Sequence, residues 1–163
     1  MLPGMRRMLS LIALAILLPG CGGSTPSGKS ADEASGPRTK GQQCLDDADA
    51  PREPKADAPI SISVSHILVR HAGLRRPEGA TRTAEEACLR ALEALESLKA
   101  GAAWEDVVEE FSDAPATGGG SLGRIRHDDV DPKFGDAAFA LDVDELSYVV
   151  ETPRGFHVIL RTD

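Results

Sequence analysis

Two segments of this 163-residue chain set a histidine inside a run of β-branched and aliphatic residues, which is the pattern of a buried strand. They are SHILVRH at 65–71 and GFHVIL at 155–160. A polar side chain in a core needs a hydrogen-bond partner, because leaving it unpaired costs about 1–3 kcal/mol. We therefore expect one sheet to hold both segments, with His66 and His157 able to satisfy each other.

The first 20 residues are interpreted as an export signal. Arg6 and Arg7 precede an apolar run at 8–18, which is too short to span a bilayer, since that takes about 20 residues. The run ends in LPGC, which resembles a bacterial lipobox, so Cys21 is expected to be acylated and to anchor the protein to a membrane. An ordinary cleaved signal is the alternative. The expected location is the bacterial cell envelope, lipid-anchored and facing the periplasm or the cell exterior.

Residues 21–58 are predicted to form a disordered, lipid-anchored linker. They are rich in Gly, Ser, Pro, Asp and Lys, and Leu45 is their only large apolar residue, so burial cannot offset the entropy of ordering. Cys44 and Cys88 could pair outside the cytoplasm. The interpretation that we favour is a buried helix cysteine at 88 and an unrelated loop thiol at 44.

Residues 59–163 are predicted to form one compact α+β domain in the order β-α-α-β-α-β-β. Alternating apolar residues indicate the first strand, and the capping box at 83–86 begins the first helix. Asp131 and Pro132 are predicted as N-cap and first residue of the last helix. The predicted elements are strands at 60–69, 121–126, 147–151 and 156–161, and helices that begin at 84, 104 and 132.

Charge and motifs argue against several classes of function. The formal net charge of −8, or −8 − 2 = −10 without Arg6 and Arg7, argues against nucleic acid as a main partner. His66 and His71 lie five apart on a strand and point to opposite faces, and no Cys-x-x-Cys or His-Glu-x-x-His occurs. No metal or other cofactor is therefore expected. The glycines at 118–120 lack the Lys-Ser/Thr of a P-loop and indicate instead a tight approach of two backbones.

The loop after the first strand is locally basic. Residues 60–83 hold four arginines against Glu78 alone, which gives +4 − 1 = +3 in an acidic chain. These arginines are Arg70, Arg75, Arg76 and Arg82. Neighbouring arginines can fork onto a phosphate or a carboxylate. A solvated loop that balances nearby acids is the alternative, and composition alone favours it.

Further short segments occur in an order and at a spacing that together are highly specific for one protein family. Besides SHILVRH they are RRP at 75–77, TRTAEEA at 81–87, FSD at 111–113, GGSLG at 119–123, FGDAAFAL at 134–141 and GFHVILRT at 155–162. With these segments, residues 60–163 resemble a parvulin-type peptidyl-prolyl cis-trans isomerase. The double-arginine loop is similar to that of the phosphorylation-directed eukaryotic parvulins, whose WW domain we do not expect here. The resemblance implies an FKBP-like fold, a four-stranded antiparallel sheet wrapped by helices.

The resemblance also implies a catalytic centre. His66 and His157 would form a paired-histidine floor, and Thr152 would bond into their network. The residue after FSD is normally Cys or Asp, and here it is Ala114, which offers neither a thiol nor a carboxylate. Either that group is dispensable, or Asp113 compensates for it, or the domain is a weakened catalyst.

The substrate contacts follow from the same resemblance. Leu122, Val130 and Phe134 would line the pocket for the proline ring, and Asp131 stands where the family usually has a Gln whose backbone holds the peptide. The residues matching the family's phosphate-binding cluster are Arg70, Arg75 and Arg76, with Arg70 in place of a lysine. Arg154 is a departure, since the phosphorylation-directed relatives have Ser there.

The expected activity is isomerisation of X-Pro bonds in envelope or secreted proteins, by a monomer whose partners are proline-containing chains and, through Cys21, a membrane. An acidic or phosphorylated residue before the proline is expected to be preferred. No covalent step is required, because the barrier of about 18–20 kcal/mol arises from amide resonance. The alternative is a parvulin-like chaperone that binds unfolded or proline-rich chains without turnover, and Ala114 is its main support.

Overall fold

The computed structural model describes residues 37–114 and 118–163. The predicted signal at 1–20, Cys21 and the first part of the predicted linker lie outside the described residues. In the described part of the chain, no helix is both long enough and apolar enough to cross a membrane.

The described part forms a four-stranded antiparallel sheet with helices on both faces. In chain order the elements are α1 (Lys40–Asp49), β1 (Ser61–Val69), α2 (Ala84–Lys99), α3 (Trp104–Phe111), β2 (Ser121–Arg126), a 3-10 turn (His127–Asp129), α4 (Pro132–Phe139), β3 (Val150–Thr152) and β4 (Gly155–Arg161). The strand order is β2-β1-β4-β3. This confirms the predicted α+β class, the sheet, and the order β-α-α-β-α-β-β from β1 onward.

Short local signals set where the helices begin. The Thr83 hydroxyl accepts a hydrogen bond from the Glu86 backbone N–H (3.2 Å), and the Glu86 carboxylate accepts one from the Thr83 N–H (2.7 Å). Asp131 accepts a hydrogen bond from the Lys133 N–H (3.0 Å), and Pro132 is the first residue of α4. Both predicted helix starts are therefore confirmed.

One strand is shorter than predicted. β3 begins at Val150 rather than at residue 147. Ser147 still lies beside β4, where its N–H donates to the Ile159 carbonyl (2.8 Å). Its hydroxyl accepts the Ile159 N–H (2.9 Å), so a side chain takes the place that a strand carbonyl would have.

The two faces of the sheet build two separate cores. Ile67 and Val69 of β1 pack with α1, α2 and α3, whereas Ile62 and Val64 pack with α4. His66 shares the α4 face, because side chains alternate along a strand. His71 points to the other face, with its ring 5.7 Å from that of Phe156, so the prediction that these two histidines point apart is confirmed.

The prediction of disorder throughout 21–58 is wrong for α1. Thr39 and Gln42 form a capping box, with both hydrogen bonds at 3.1 Å. Cys44 and Ala48, one turn apart, are buried against the core of α2, and Cys44 forms a disulfide with Cys88, so the expectation of two unpaired cysteines is also wrong. The helix is held by three small buried residues (Gly41, Cys44 and Ala48), by Leu45 packed against the same core, and by one covalent link.

The chain after α1 is also bound to the domain. The Lys55 N–H donates to the carbonyl of Phe139 (3.1 Å), and its ammonium pairs with Asp142. The ammonium of Lys133, on α4, pairs with Asp49 at the end of α1. The folded unit therefore includes residues that composition assigned to the linker.

Candidate active site

The two histidines meet on the α4 face of the sheet. Because His66 pairs with Ile159 and Leu68 with His157, the two histidines are diagonal neighbours on adjacent antiparallel strands. Their Nδ1 atoms are 3.0 Å apart, and their rings are nearly parallel, at 19°. The Thr152 Oγ1 lies 2.8 Å from His157 Nε2, so Thr152 joins the pair at its buried end.

Burial keeps both imidazoles neutral. It lowers the pKa of His66 from 6.5 to about 4, with smaller contributions from the positive charges of Arg154 and Arg70. Burial also lowers the pKa of His157 well below its usual range, and His66, Arg154 and Arg70 add to that effect. A contact between two Nδ1 atoms has room for one proton between them. Two imidazolium rings, each with a proton on Nδ1, are therefore incompatible with this geometry.

Thr152 links the histidine pair to the connection between β3 and β4. Its Oγ1 accepts the Arg154 backbone N–H (3.1 Å), donates to the Gly155 carbonyl (3.4 Å) and lies 2.8 Å from His157 Nε2. Because a neutral imidazole has one N–H, only one of the two histidines donates across the contact between their Nδ1 atoms.

An apolar groove of about 310 Å³ lies over the histidine pair. The predicted substrate residues all line it, and they are Leu122, Val130, Asp131 and Phe134. The ring of Phe134 stands edge-on to both histidines, at 5.9 Å from His66 and 5.2 Å from His157. The groove is lined further by Ile125, Asp129 and Arg154, none of which was predicted as a site residue.

A β-bulge presents Leu122 to the groove. Val64 pairs with Gly123 and Ser65 with Ser121, so Leu122 is left without a partner on β1 and its side chain is 42% exposed. The glycine before this strand is needed for close approach, because a Cβ on Gly120 would lie 2.3 Å from the His66 carbonyl oxygen. The predicted tight approach of backbones is thereby confirmed at Gly120, whereas a Cβ on Gly118 or Gly119 would meet nothing within 4 Å.

Asp113 and Ala114 do not line this groove. The Asp113 carboxylate accepts the Arg70 backbone N–H (2.7 Å) and pairs with the Arg82 guanidinium, and its own N–H donates to Leu68 (2.6 Å). Asp113 therefore fastens the basic loop to the end of β1. Nothing in this arrangement brings its carboxylate to the histidine pair as a substitute for the group missing at Ala114.

A second cavity, of about 470 Å³, adjoins the groove and is lined mainly by arginine. Its lining residues are Arg70, Arg75, Arg76, Glu78, Pro153 and Arg154. Arg70 forms an ion pair with Glu78 (2.9 Å). Arg82, the fourth arginine of the loop, pairs with Asp113 instead. The sequence analysis noted Arg154 as a departure from the family's Ser but assigned it no role, although its place in the short connection between Thr152 and His157 was a usable signal.

The other two histidines lie outside the groove. His71 is on the opposite face of the sheet, and His127 contacts Asp136 through Nε2 (2.8 Å). The hydrogen bonds to Asp136 and Asp128 raise the pKa of His127. Over residues 37–114 and 118–163, no three His, Cys, Asp or Glu side chains are grouped so that they could hold a metal ion.

A histidine pair beneath an apolar groove, on this sheet topology, is the arrangement that the resemblance to parvulin-type peptidyl-prolyl isomerases implied. Residues 52–163 match the PPIC-type PPIase domain family, and the chain belongs to that family. It is 39% identical to peptidyl-prolyl cis-trans isomerase pin1 of Schizosaccharomyces pombe, over 74% of this chain and 69% of that protein. Its activity is therefore peptidyl-prolyl cis-trans isomerisation.

Solved structures give the same result. The chain resembles the peptidyl-prolyl isomerase ESS1 from Candida albicans with a TM-score of 0.59 and 30% identity, covering 68% of this chain and 66% of that one. It resembles PrsA from Bacillus subtilis with a TM-score of 0.51 and 33% identity, covering 64% of this chain but 35% of that one. The similarity to PrsA therefore concerns one part of that protein.

Proposed function

We propose that the enzyme isomerises X-Pro bonds of exported proteins and prefers an acidic or phosphorylated residue before the proline. The observation that carries this proposal is the arginine-lined cavity next to the apolar groove. A proline ring suits the groove, and an anion on the preceding residue suits the guanidinium groups of Arg70, Arg75 and Arg76.

The groove favours the twisted amide over either planar form. Rotation about the C–N bond removes resonance and localises the lone pair on the proline nitrogen. Leu122, Val130 and Phe134 exclude water from that nitrogen and lower the local dielectric constant, which disfavours the more polar planar amide. The histidines keep the shape and polarity of the floor and carry no proton to substrate, so the loss of a reactive group at Ala114 is tolerated.

Export is supported by the disulfide within the domain. The Cys44–Cys88 bond joins α1 to α2, and structural disulfides persist in oxidising compartments rather than in the cytosol. The lipobox-like LPGC segment adds a membrane anchor at Cys21. In cells, labelled palmitate should enter the wild-type protein and not the Cys21→Ser variant. Equal labelling of both would reject the anchor.

Substrate preference can be tested with the mature chain carrying Cys21→Ser. Isomerisation rates of Glu-Pro, phosphoserine-Pro and Ala-Pro peptides should follow the charge, with Ala-Pro slowest. The double variant Arg75→Ala/Arg76→Ala should reduce the advantage of the two charged peptides over Ala-Pro. Equal rates in the wild type, unaltered in the double variant, would reject the anion preference. Shifts of the Leu122 and Phe134 resonances without isomer exchange would support a binding protein instead.

A further inference from the structure

Arg154 lies in a short connection whose backbone is hydrogen-bonded to the histidine network. It lies between β3 and β4, and its backbone N–H donates to Thr152 Oγ1 (3.1 Å), which contacts His157 Nε2. The next residue, Gly155, has φ +130°, and a Cβ there would lie 2.5 Å from the Val69 carbonyl oxygen. The turn is therefore held against the end of β1, and the backbone of Arg154 has a fixed position.

Arg154 lines both the apolar groove and the arginine cavity. None of the other arginines that line the cavity also lines the groove. Arg154 therefore stands at the boundary between the place of the proline ring and the place of the anion. In a substrate, the side chain nearest that boundary belongs to the residue immediately before the proline.

The charge around this boundary is uncompensated. Four arginines and Glu78 line the arginine cavity, which gives +4 − 1 = +3. Arg70 pairs with Glu78, whereas no carboxylate of the described residues lies within 4.0 Å of the charged nitrogens of Arg75, Arg76 or Arg154. Guanidinium groups gathered without counter-charges attract an anion from solution.

We propose that Arg154 is a specificity-determining residue that binds the carboxylate of an aspartate or glutamate immediately before the proline. The inference rests on the isomerase function and the acid preference proposed above. It assigns to the loop arginines a broader attraction for anions, and to Arg154 the reading of this one position. A planar guanidinium can accept a carboxylate through two parallel hydrogen bonds, which fixes the peptide as well as attracting it.

Arg154→Ala and Arg154→Lys test this inference in the mature chain with Cys21→Ser, with Arg126→Ala as the matched control. Arg126 is exposed and lines neither cavity. At pH 7.5, Arg154→Ala should lower kcat/KM for a Glu-Pro peptide about five- to thirtyfold more than for an Ala-Pro peptide, mainly through KM. For Arg154→Lys, kcat/KM on Glu-Pro should lie between the values for the wild type and Arg154→Ala. Arg126→Ala should match the wild type.

A peptide with the glutamate moved one residue further from the proline sharpens the test. Arg75→Ala/Arg76→Ala should slow both glutamate peptides, and Arg154→Ala only Glu-Pro. An equal loss on Glu-Pro and Ala-Pro would make Arg154 a structural residue and overturn the inference. If the wild type prefers Glu-Pro and only the loop variant removes that preference, the inference fails and the proposed function stands. If the wild type shows no preference, both the acid preference and the inference fail.

Discussion

The two faces of the sheet carry different tasks. On the α2 face, Ile67, Val69, Phe156 and Val158 are fully buried beside the Cys44–Cys88 disulfide. On the α4 face, the same two strands contribute His66 and His157 and leave a groove open above them. Strand alternation thus lets neighbouring residues of β1 and β4 serve stability on one face and function on the other. Each prediction below perturbs one face and states which property should respond.

The largest expected effect is on stability alone. Replacing Cys44 and Cys88 together by alanine opens a covalent loop with a sequence separation of 44. The free energy of unfolding should fall by about 4 kcal/mol, because the unfolded chain regains the entropy of that loop. Denaturant unfolding measures the loss, and Ala-Pro isomerisation at low temperature should be unchanged. A clear fall in kcat of the folded variant would show that the two faces are coupled.

Acidification should destabilise the α4 face. The pKa of His66 is about 4 and that of His157 is also lowered, below the 6.5 of an unfolded histidine, so the unfolded chain binds more protons in this range. The stability that neutral histidines provide is present above pH 6.5 and is lost as pH falls toward 4. Unfolding curves at pH 7.5, 6 and 5 should show this loss.

The matched control for that measurement is His127, whose pKa is raised by Asp136 and Asp128. Its contribution has the opposite sign, present below pH 6.5 and lost as pH rises through its higher folded pKa. His127→Asn should therefore keep the loss of stability on acidification. A flat profile between pH 7.5 and 5 in the wild type would show that the buried pair is protonated without penalty.

Thr152→Val should affect stability and the histidine network. The variant keeps the side-chain shape but removes the only hydroxyl that contacts His157 Nε2 and that accepts the Arg154 N–H among the described residues. Leaving these buried groups unpaired should lower the free energy of unfolding by about 1–3 kcal/mol. The Nδ1 and Nε2 shifts of His157 should change in ¹⁵N NMR spectra. Thr152→Ser, which keeps the hydroxyl, should restore the wild-type pattern.

The smallest effect isolates the groove. Leu122 is 42% exposed on its bulge, so Leu122→Ala should leave the unfolding free energy within about 0.5 kcal/mol of the wild type. It should nevertheless lower kcat/KM for Ala-Pro about threefold to tenfold, because the apolar contact with the proline ring is lost. Val143→Ala, at an exposed site outside the groove, is the control. Unchanged activity in Leu122→Ala would remove the bulge from the substrate site.

Much of the α4 face could be predicted from the sequence. Alternation fixed which strand residues share a face, and the polarity of a buried histidine required a partner, so His66 and His157 were expected together. The family pattern then placed Thr152, Leu122, Val130 and Phe134. These expectations depend on local periodicity and on motifs of several residues, which a single sequence contains.

The features that sequence reasoning missed depend on contacts between distant parts of the chain. The composition of α1 did not predict that it folds, because its burial depends on small residues such as Gly41, Cys44 and Ala48 and on a partner cysteine on another helix. The position of Arg154 depends on the β3–β4 turn, and the partners of Asp113 depend on where the loop of Arg70 and Arg82 returns. Such contacts between a loop and a distant strand cannot be predicted from the spacing of residues along the chain.

The disulfide also determines how the domain bears mechanical load. Tension applied to the chain ahead of Lys40 enters the folded unit through α1 and reaches Cys44 within the first turns of that helix. From there the covalent bond carries it directly to α2 at Cys88, past residues 45–87. β1 lies inside that bypassed loop. A pull between the N-terminal side and the C-terminal end of the domain would therefore not extend the strand of His66, and α2 and the elements after it would bear the force.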